Sequence, residues 1–405
     1  MRSANRAVNG AVTSATNKLT ARVSGGLPAG RLHGCRRGLI GKLRGAAGAI
    51  VIATRATATG PAIASLVKAA GTTAIAALVI AAGTATMAAT PAHAQNNAAK
   101  NHAPTHAPDH AANHAYNCPS SPLVMTEVAE GIFVRHGKYD LMRAANHGGI
   151  ANIGFIIGKS AVAVIDSGGS LCDGQRLARA IEKRTSLPIR FVINTHVHPD
   201  HIFGNAAFAD KAATFVGHRN LPRAMAQRGA HYLQANLALM GKSALRGIKI
   251  IPPTLLVKDR LTLQLGAREL ELTAWPAAHT DQDLTIYDRK TATLFTGDLV
   301  FSRHIPVVDG SLIGWLQVIQ RLRTSKARRI VPGHGPVSMT LADGLAPEQR
   351  YLTRLARDIR AAIKNGETMS TAVGKAAMSE KHKWKLFGDF NARNATAAFA
   401  ELEWE

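Results

Sequence analysis

The chain has 405 residues and a formal net charge of +23, long enough for one large domain with appendages or for two domains. The charge is uneven: residues 1–94 hold eleven Lys and Arg and no acid, leaving 38 basic against 26 acidic residues in the rest. Of three cysteines, Cys35 lies in that leader, so only Cys118 and Cys172 can pair in the folded part and a disulfide framework is excluded.

Residues 1–68 are rich in Ala, Gly, Thr and Arg and show no hydrophobic period. The uncharged run Ala69–Ala89 and the step Ala92-His93-Ala94 before Gln95 are the parts of a secretory signal, so 1–94 reads as a leader cleaved after Ala94. Its apolar core is mostly Ala, Gly and Thr, weak for a permanent span, so a membrane is met only through an uncleaved leader. Residues 95–122 form a low-complexity linker in which His102, His106, His110 and His114 recur every four positions. Pro104 and Pro108 forbid a continuous helix there, so the tract reads as a solvated spacer, with loose metal binding as the alternative.

From Val124 the pattern turns to short apolar runs. Strands are expected over 132–135, 152–157 and 161–165, with Gly158-Lys159 as a tight turn. A helix over 177–183 leads to a strand over 189–193. A strand at 214–217, a helix over 221–240 and strands at 255–257, 261–265 and 270–275 follow. Residues 312–322 and 348–364 have helical spacing, and 369–378 reads as another helix.

The strand 189–193 runs straight into Asn194-Thr195-His196-Val197-His198-Pro199-Asp200-His201. His196 and His198 are two apart, as ligands leaving one face of extended chain would be. Asp200 and His201 lie beyond the bend at Pro199 and can address a second point nearby. Imidazole with carboxylate is the ligand chemistry of zinc and its neighbours. A polar loop that happens to be histidine-rich is the plainer alternative.

This H-x-H-x-D-H pattern resembles the signature of the metallo-β-lactamase superfamily. Three downstream motifs match the family's order: Ala278-His279-Thr280, Thr296-Gly297-Asp298-Leu299 and Pro332-Gly333-His334-Gly335, each following or abutting a short apolar run and so placed at a strand end. The resemblance covers roughly Val124–Ser338. It implies an α+β fold, an αββα sandwich of two mixed β-sheets with helices on both outer faces. It also implies that His196, His198 and His279 hold one metal and Asp200, His201 and His334 another, with Asp298 bridging. The cofactors would be two Zn²⁺, with iron or manganese as alternatives. Asp200 would be catalytic, orienting the nucleophile and taking up a proton. Asp166, in the turn Asp166-Ser167-Gly168-Gly169, is a candidate acceptor for a ligand imidazole N–H, or else a plain turn-capping residue. His304 and His147 are candidates to reach substrate, while His218 and His231 read as structural.

Asp309-Gly310-Ser311-Leu312, Gly314-Trp315-Leu316 and the tail from Asn391 to Glu405 resemble one branch, the quinoprotein relay system zinc metallohydrolases. That resemblance implies a fold domain over 123–345 and a C-terminal helical extension over 346–405 that caps it. It also implies a periplasmic or secreted protein beside quinoprotein dehydrogenase components. The expected reaction is attack of a metal-bound hydroxide on an ester-, thioester- or lactone-like small molecule, with no nucleic acid as partner. Asp298 at the bridging position resembles the thioesterase and lactonase branches and disfavours a dedicated β-lactamase. Two readings from other classes stay open: an iron-dependent sulfur- or persulfide-oxidising enzyme of the same fold, and a non-catalytic metal-binding accessory protein.

Overall fold

The computed structural model describes residues 117–405, so the leader and the four periodic histidines lie outside the described residues. The first sheet has seven strands in chain order: β1 (Thr126–Ala129), β2 (Ile132–Arg135), β3 (Ile153–Ile157), β4 (Val162–Ile165), β5 (Ile189–Ile193), β6 (Thr214–His218) and β7 (Leu255–Val257). β1 to β4 form an antiparallel meander, while β4 to β7 run parallel. Parallel neighbours need crossovers, and the helices supply them: α1 (Leu171–Glu182) joins β4 to β5, α2 (Pro199–Ile202) lies between β5 and β6, and α3 (Leu221–Ala244) joins β6 to β7. β4 and most of β5 are buried on both faces, which is why they read as continuous apolar runs.

The second sheet has five strands in the order β12-β11-β10-β9-β8. These are β8 (Arg260–Gln264), β9 (Glu269–Ala274), β10 (Leu284–Asp288), β11 (Thr293–Phe301) and β12 (Arg329–His334). Only β11 and β12 are parallel, and α4 (Leu312–Leu322) makes their crossover. The sheets face each other through one apolar layer, Ile156, Ile165 and Ile193 from the first against Leu272, Ile286 and Phe295 from the second. Leu177 and Ile181 of α1 cover the outer face of the first sheet against Val162, Val164 and Val192. On the other side Trp315 of α4 packs against Val300 and Ile330, together with Leu355 and Phe399 from the tail. The αββα sandwich is therefore as the sequence implies.

The tail forms α5 (Leu341–Lys364), α6 (Met369–Lys375) and α7 (Phe387–Leu402). The expected division between 345 and 346 falls inside α5, which starts at Leu341 rather than Glu348. Thr340 caps it by accepting from Asp343 N–H, and Pro347 sits inside the helix although it has no N–H to donate. Cys118 and Cys172 pair, with their Cα atoms 5.5 Å apart. Arg179 of α1 also donates to Pro119 O at 2.8 Å, so the last residues assigned to the linker are fastened to α1. Among the described residues no helix is long and apolar enough to cross a membrane.

Candidate metal centre

β5 ends at Ile193, and the chain then folds over its own exit through Asp166, at the end of β4. Asp166 takes a left-handed backbone (φ 54°) and accepts from Thr195 N–H and Thr195 Oγ1–H, both at 2.8 Å. This fixes the turn from which His196, His198, Asp200 and His201 project. His279 comes from the loop between β9 and β10, Asp298 from β11, and His334 is the last residue of β12. Asp298 thus lies within its strand, not at its end. Gly297 before it has φ 51°, and the register against β12 shifts there, so the strand bends at the site and continues to Phe301. Gly333 is required by the same packing, since a Cβ there would lie 1.9 Å from Asp298 Oδ1.

All seven expected ligands converge. Their donor atoms form two clusters that could hold metal ions, one of His196, His198, His279 and Asp298 and one of Asp200, His201 and His334. In the first, His198 Nδ1 lies 3.0 Å from both His196 Nε2 and His279 Nε2. Hydrogen bonds among these nitrogens would need ring protons directed inward, but the outward nitrogens already carry them. His198 Nε2–H donates to Asp309 Oδ2 at 2.9 Å, and His279 Nδ1–H to Val307 O at 2.6 Å. His196 Nδ1–H donates to Thr195 Oγ1 at 3.0 Å. Three lone pairs therefore face one point, at separations close to the ~3.3 Å edge of a tetrahedron with ~2.0–2.1 Å metal–nitrogen bonds.

Asp298 joins the clusters. Its Oδ2 lies 3.6, 3.5 and 3.3 Å from Nε2 of His196, His279 and His334, and its Oδ1 lies 3.2 Å from His201 Nε2. Asp200 Oδ2 lies 3.2 Å from His334 Nε2 and 3.5 Å from His201 Nε2. His201 Nδ1–H donates to Asp166 Oδ2 at 2.8 Å, which is the contact expected of Asp166. Asp298 Oδ1 and His201 Nε2 are both buried without a hydrogen bond, although they face each other. A cation between them satisfies both, and the His and Asp donor set, without cysteine, fits a divalent metal.

The electrostatics agree. Burial keeps His196 well below its ordinary value and pushes His279 down to about 3, so both stay neutral, the form that binds metal. At His201 and His334 burial is outweighed by Asp298 and Asp200, which hold His201 well above its ordinary value and His334 at about 9. Burial opposes ionisation of Asp298 and Asp200 as well, yet the facing imidazoles hold Asp298 well below the usual carboxylate range and Asp200 at about 2. Two carboxylates drawing protons onto two imidazoles in a dry site is the charge distribution that a dication would replace.

The centre opens into a cavity of about 360 Å³. Leu141, Met142, Ile150, Leu239 and Phe390 give it apolar walls, and Arg393 of α7 stands among its polar lining residues. His304 lines it, donating Nδ1–H to Ile305 O at 2.6 Å, and burial beside His334 pushes it down to about 4, so its ring is neutral. His147 does not line it. That residue, expected as a candidate to reach substrate, holds a left-handed corner, and its carbonyl accepts from Ser170 Oγ. His218 is buried and its Nδ1 accepts from Asn220 N–H, whereas His231, read as structural, stands at the cavity. Three residues of the site were not singled out from the sequence for these contacts. Asp309 receives His198, Arg228 and Arg393; Tyr232 lines the cavity beside His198; and buried Asn152 donates to Pro332 O at 2.8 Å, holding the turn that presents His334. Asp309 lay within a quoted motif, but nothing local ties it to His198.

Residues 147–334 match the family model described as the metallo-β-lactamase superfamily. A curated relative, "Beta-lactamase-like protein 2 homolog" of Caenorhabditis elegans, is 21% identical over 193 residues, 48% of this chain and 58% of that protein. The chain thus spans less than two thirds of that relative's length. Among solved structures, a metallo-β-lactamase from Pontibacter korlensis is 21% identical with a TM-score of 0.46, covering 57% of this chain and 99% of that one. The DIM-1 metallo-β-lactamase is 19% identical with a TM-score of 0.45, covering 57% of this chain and 97% of that one.

Proposed function

We propose, on the match of residues 147–334 to the metallo-β-lactamase superfamily model and on the two donor clusters, that the chain is an exported dinuclear zinc hydrolase of ester-, thioester- or lactone-like small molecules. The observation that carries this reading is Asp298, one carboxylate in reach of donor atoms from both clusters. His196, His198 and His279 would hold one ion, Asp200, His201 and His334 the other, and Asp298 both. Bound there, a divalent metal supplies Lewis acidity, lowering the pKa of water and polarising a carbonyl.

The chain's own groups do the rest. Asp309, Val307 O and Asp166 fix His198, His279 and His201 in the tautomers that turn lone pairs inward. Asp200 is ionised and lines the cavity; its Oδ2 faces His201 and His334, which leaves Oδ1 as the acceptor for a proton released on attack. Neutral His304 offers Nε2 to a polar group of the substrate. Leu141, Met142, Ile150, Leu239 and Phe390 suit an acyl or ring portion and exclude water around the reacting carbonyl.

Export is supported by the leader composition and by the Cys118–Cys172 disulfide, a bond that belongs to an oxidising compartment. A place beside periplasmic quinoprotein dehydrogenase components rests on the resemblance of the tail. The deciding experiment is metal analysis of the mature protein with a panel of thioester, lactone, ester, β-lactam and phosphodiester substrates in ¹⁸O-water. About two zinc per chain, and one solvent oxygen in the product of the first three, is the expected result. A product oxygen from O₂ with iron as the active metal would establish the persulfide-oxidising reading. Tight metal with no turnover would leave a metal-binding accessory protein.

A further inference from the structure

Val307 O and Asp309 orient two of the three imidazoles in the first cluster, and both lie on the loop between β11 and α4. That loop packs under α7, from the far end of the chain, and its contact with one residue there is unusually complete. Asn394 is fully buried, and the three hydrogen bonds of its side chain all lead away from its own helix. Its Nδ2 donates to Pro306 O at 2.6 Å, its Oδ1 accepts from Val308 N–H at 2.9 Å, and its second proton goes to Tyr351 Oη of α5 at 2.9 Å. The first two partners are the peptide groups on either side of Val307. Tyr351 in turn donates to Asn391 Oδ1 at 3.0 Å, and Asn391 donates to Ala376 O at 3.0 Å, so the grip is anchored across α5, α7 and the residue that caps the end of α6. The neighbour of Asn394, Arg393, donates to Asp309 Oδ1 at 3.2 Å.

We propose that Asn394 is a positioning residue of the metal centre: by holding Pro306 O and Val308 N–H it sets where Val307 O and Asp309 stand, and through them the aim of His279 and His198. The tail then belongs to the metal centre as much as to the core. An Asn chosen only for packing would not need both faces of its amide on one loop, and an apolar residue would avoid burying them. The inference rests on the proposed metal site.

The test is cobalt titration of the whole purified chain, following the visible d–d bands and competing with a chelator. Wild type is compared with Asn394→Ala, Tyr351→Phe and, as a control for general loosening, Leu402→Ala, whose side chain is buried in α7 eight residues beyond Asn394. Asn394→Ala is expected to bind the cobalt of the His196–His198–His279 cluster about 10–100-fold more weakly, as loss of an outer-shell partner does, and with altered bands. Leu402→Ala should lower the melting temperature and leave the bands unchanged. Affinity and bands within twofold of wild type in Asn394→Ala would overturn the proposal, as would an equal shift in Leu402→Ala. Should Asn394→Ala not fold, Tyr351→Phe decides by the same two outcomes, because it frees one proton of the same amide. A wild-type chain that binds no cobalt would overturn the hydrolase reading and this inference together, whereas binding with no effect of either variant overturns this inference alone.

Discussion

Replacing Asp309 by Asn changes few atoms and should weaken one metal site selectively. Three donors converge on this carboxylate: His198 Nε2–H at 2.9 Å, Arg393 at 3.2 Å and Arg228. An amide offers one acceptor oxygen and a donating NH₂, so at least one of the three must face another N–H. A hydrogen bond to a charged group contributes about 1.5–3 kcal/mol. Asp309 retains 18% side-chain exposure, so the lower half of that range applies, about 1.5–2 kcal/mol. At 1.4 kcal/mol per decade this is a loss of roughly 10–30-fold in metal affinity, in line with the ~10–100-fold typical of outer-shell partners. Removing the anion also leaves Arg228 and Arg393 as uncompensated cations beside a cation site, which acts in the same direction. Chelator competition on the purified variant measures it. The His196–His198–His279 cluster should weaken by that amount while the other stays within twofold of wild type. Wild-type affinity at both would refute the view that Asp309 holds His198 for a metal.

Asp298→Ala should leave about one metal per chain after desalting, the Asp200–His201–His334 cluster losing its ion first because the three imidazoles left in the other cluster suffice as a zinc site on their own; an unchanged stoichiometry would remove Asp298 from the site. Reducing the Cys118–Cys172 bond, which closes a loop with a sequence separation of 54, should cost up to about 4 kcal/mol on the chain-entropy relation. An unchanged denaturation midpoint with reductant would show that the segment before β1 contributes nothing to stability. Arg268→Ala should cost about 3–5 kcal/mol, because it strands Asp288, fully buried and bonded to Arg268 at 2.8 and 3.0 Å. Burial opposes charge on Asp288, yet Arg268 and Thr291 hold its carboxyl below the ordinary range. Its stabilisation is therefore present above the unfolded pKa of ~3.9 and lost as pH falls through the lower folded value, so the variant should begin acid unfolding at higher pH than wild type.

The convergence of the seven His and Asp side chains could be expected from the sequence because each sits beside an apolar run in a local motif, and the elements carrying the strongest periodicity, β5 and α4, have the limits expected of them. What escaped the sequence depends on tertiary partners. β10 was not foreseen: its Thr285 and Asp288 look like loop residues, but in the fold one accepts from Trp275 Nε1 and the other binds Arg268. Asp298 within β11 needed the left-handed Gly297 to be seen as a bend rather than a strand end. The true start of α5 was hidden by Pro347, which resembles a first-turn proline until Thr340 is seen to cap the helix earlier. The roles of Asp309 and Asn394 rest on contacts across 111 and 86 residues, to His198 and Val308, and no spacing rule reaches that far. The pairing of Cys118 with Cys172 likewise required knowing that the chain returns to α1.

The donors divide between the two sheets: His196, His198, Asp200 and His201 follow β5 of the first, while His279, Asp298 and His334 belong to the second. An ion held by both halves is a fastening as well as a reagent, and mass action couples its occupancy to unfolding. A site bound only in the folded state adds about 2.7 kcal/mol at one hundred times its dissociation constant and about 4.1 at one thousand. The melting temperature of this protein should therefore climb with the logarithm of free zinc, turning a thermal scan into an occupancy gauge that works before any substrate is known.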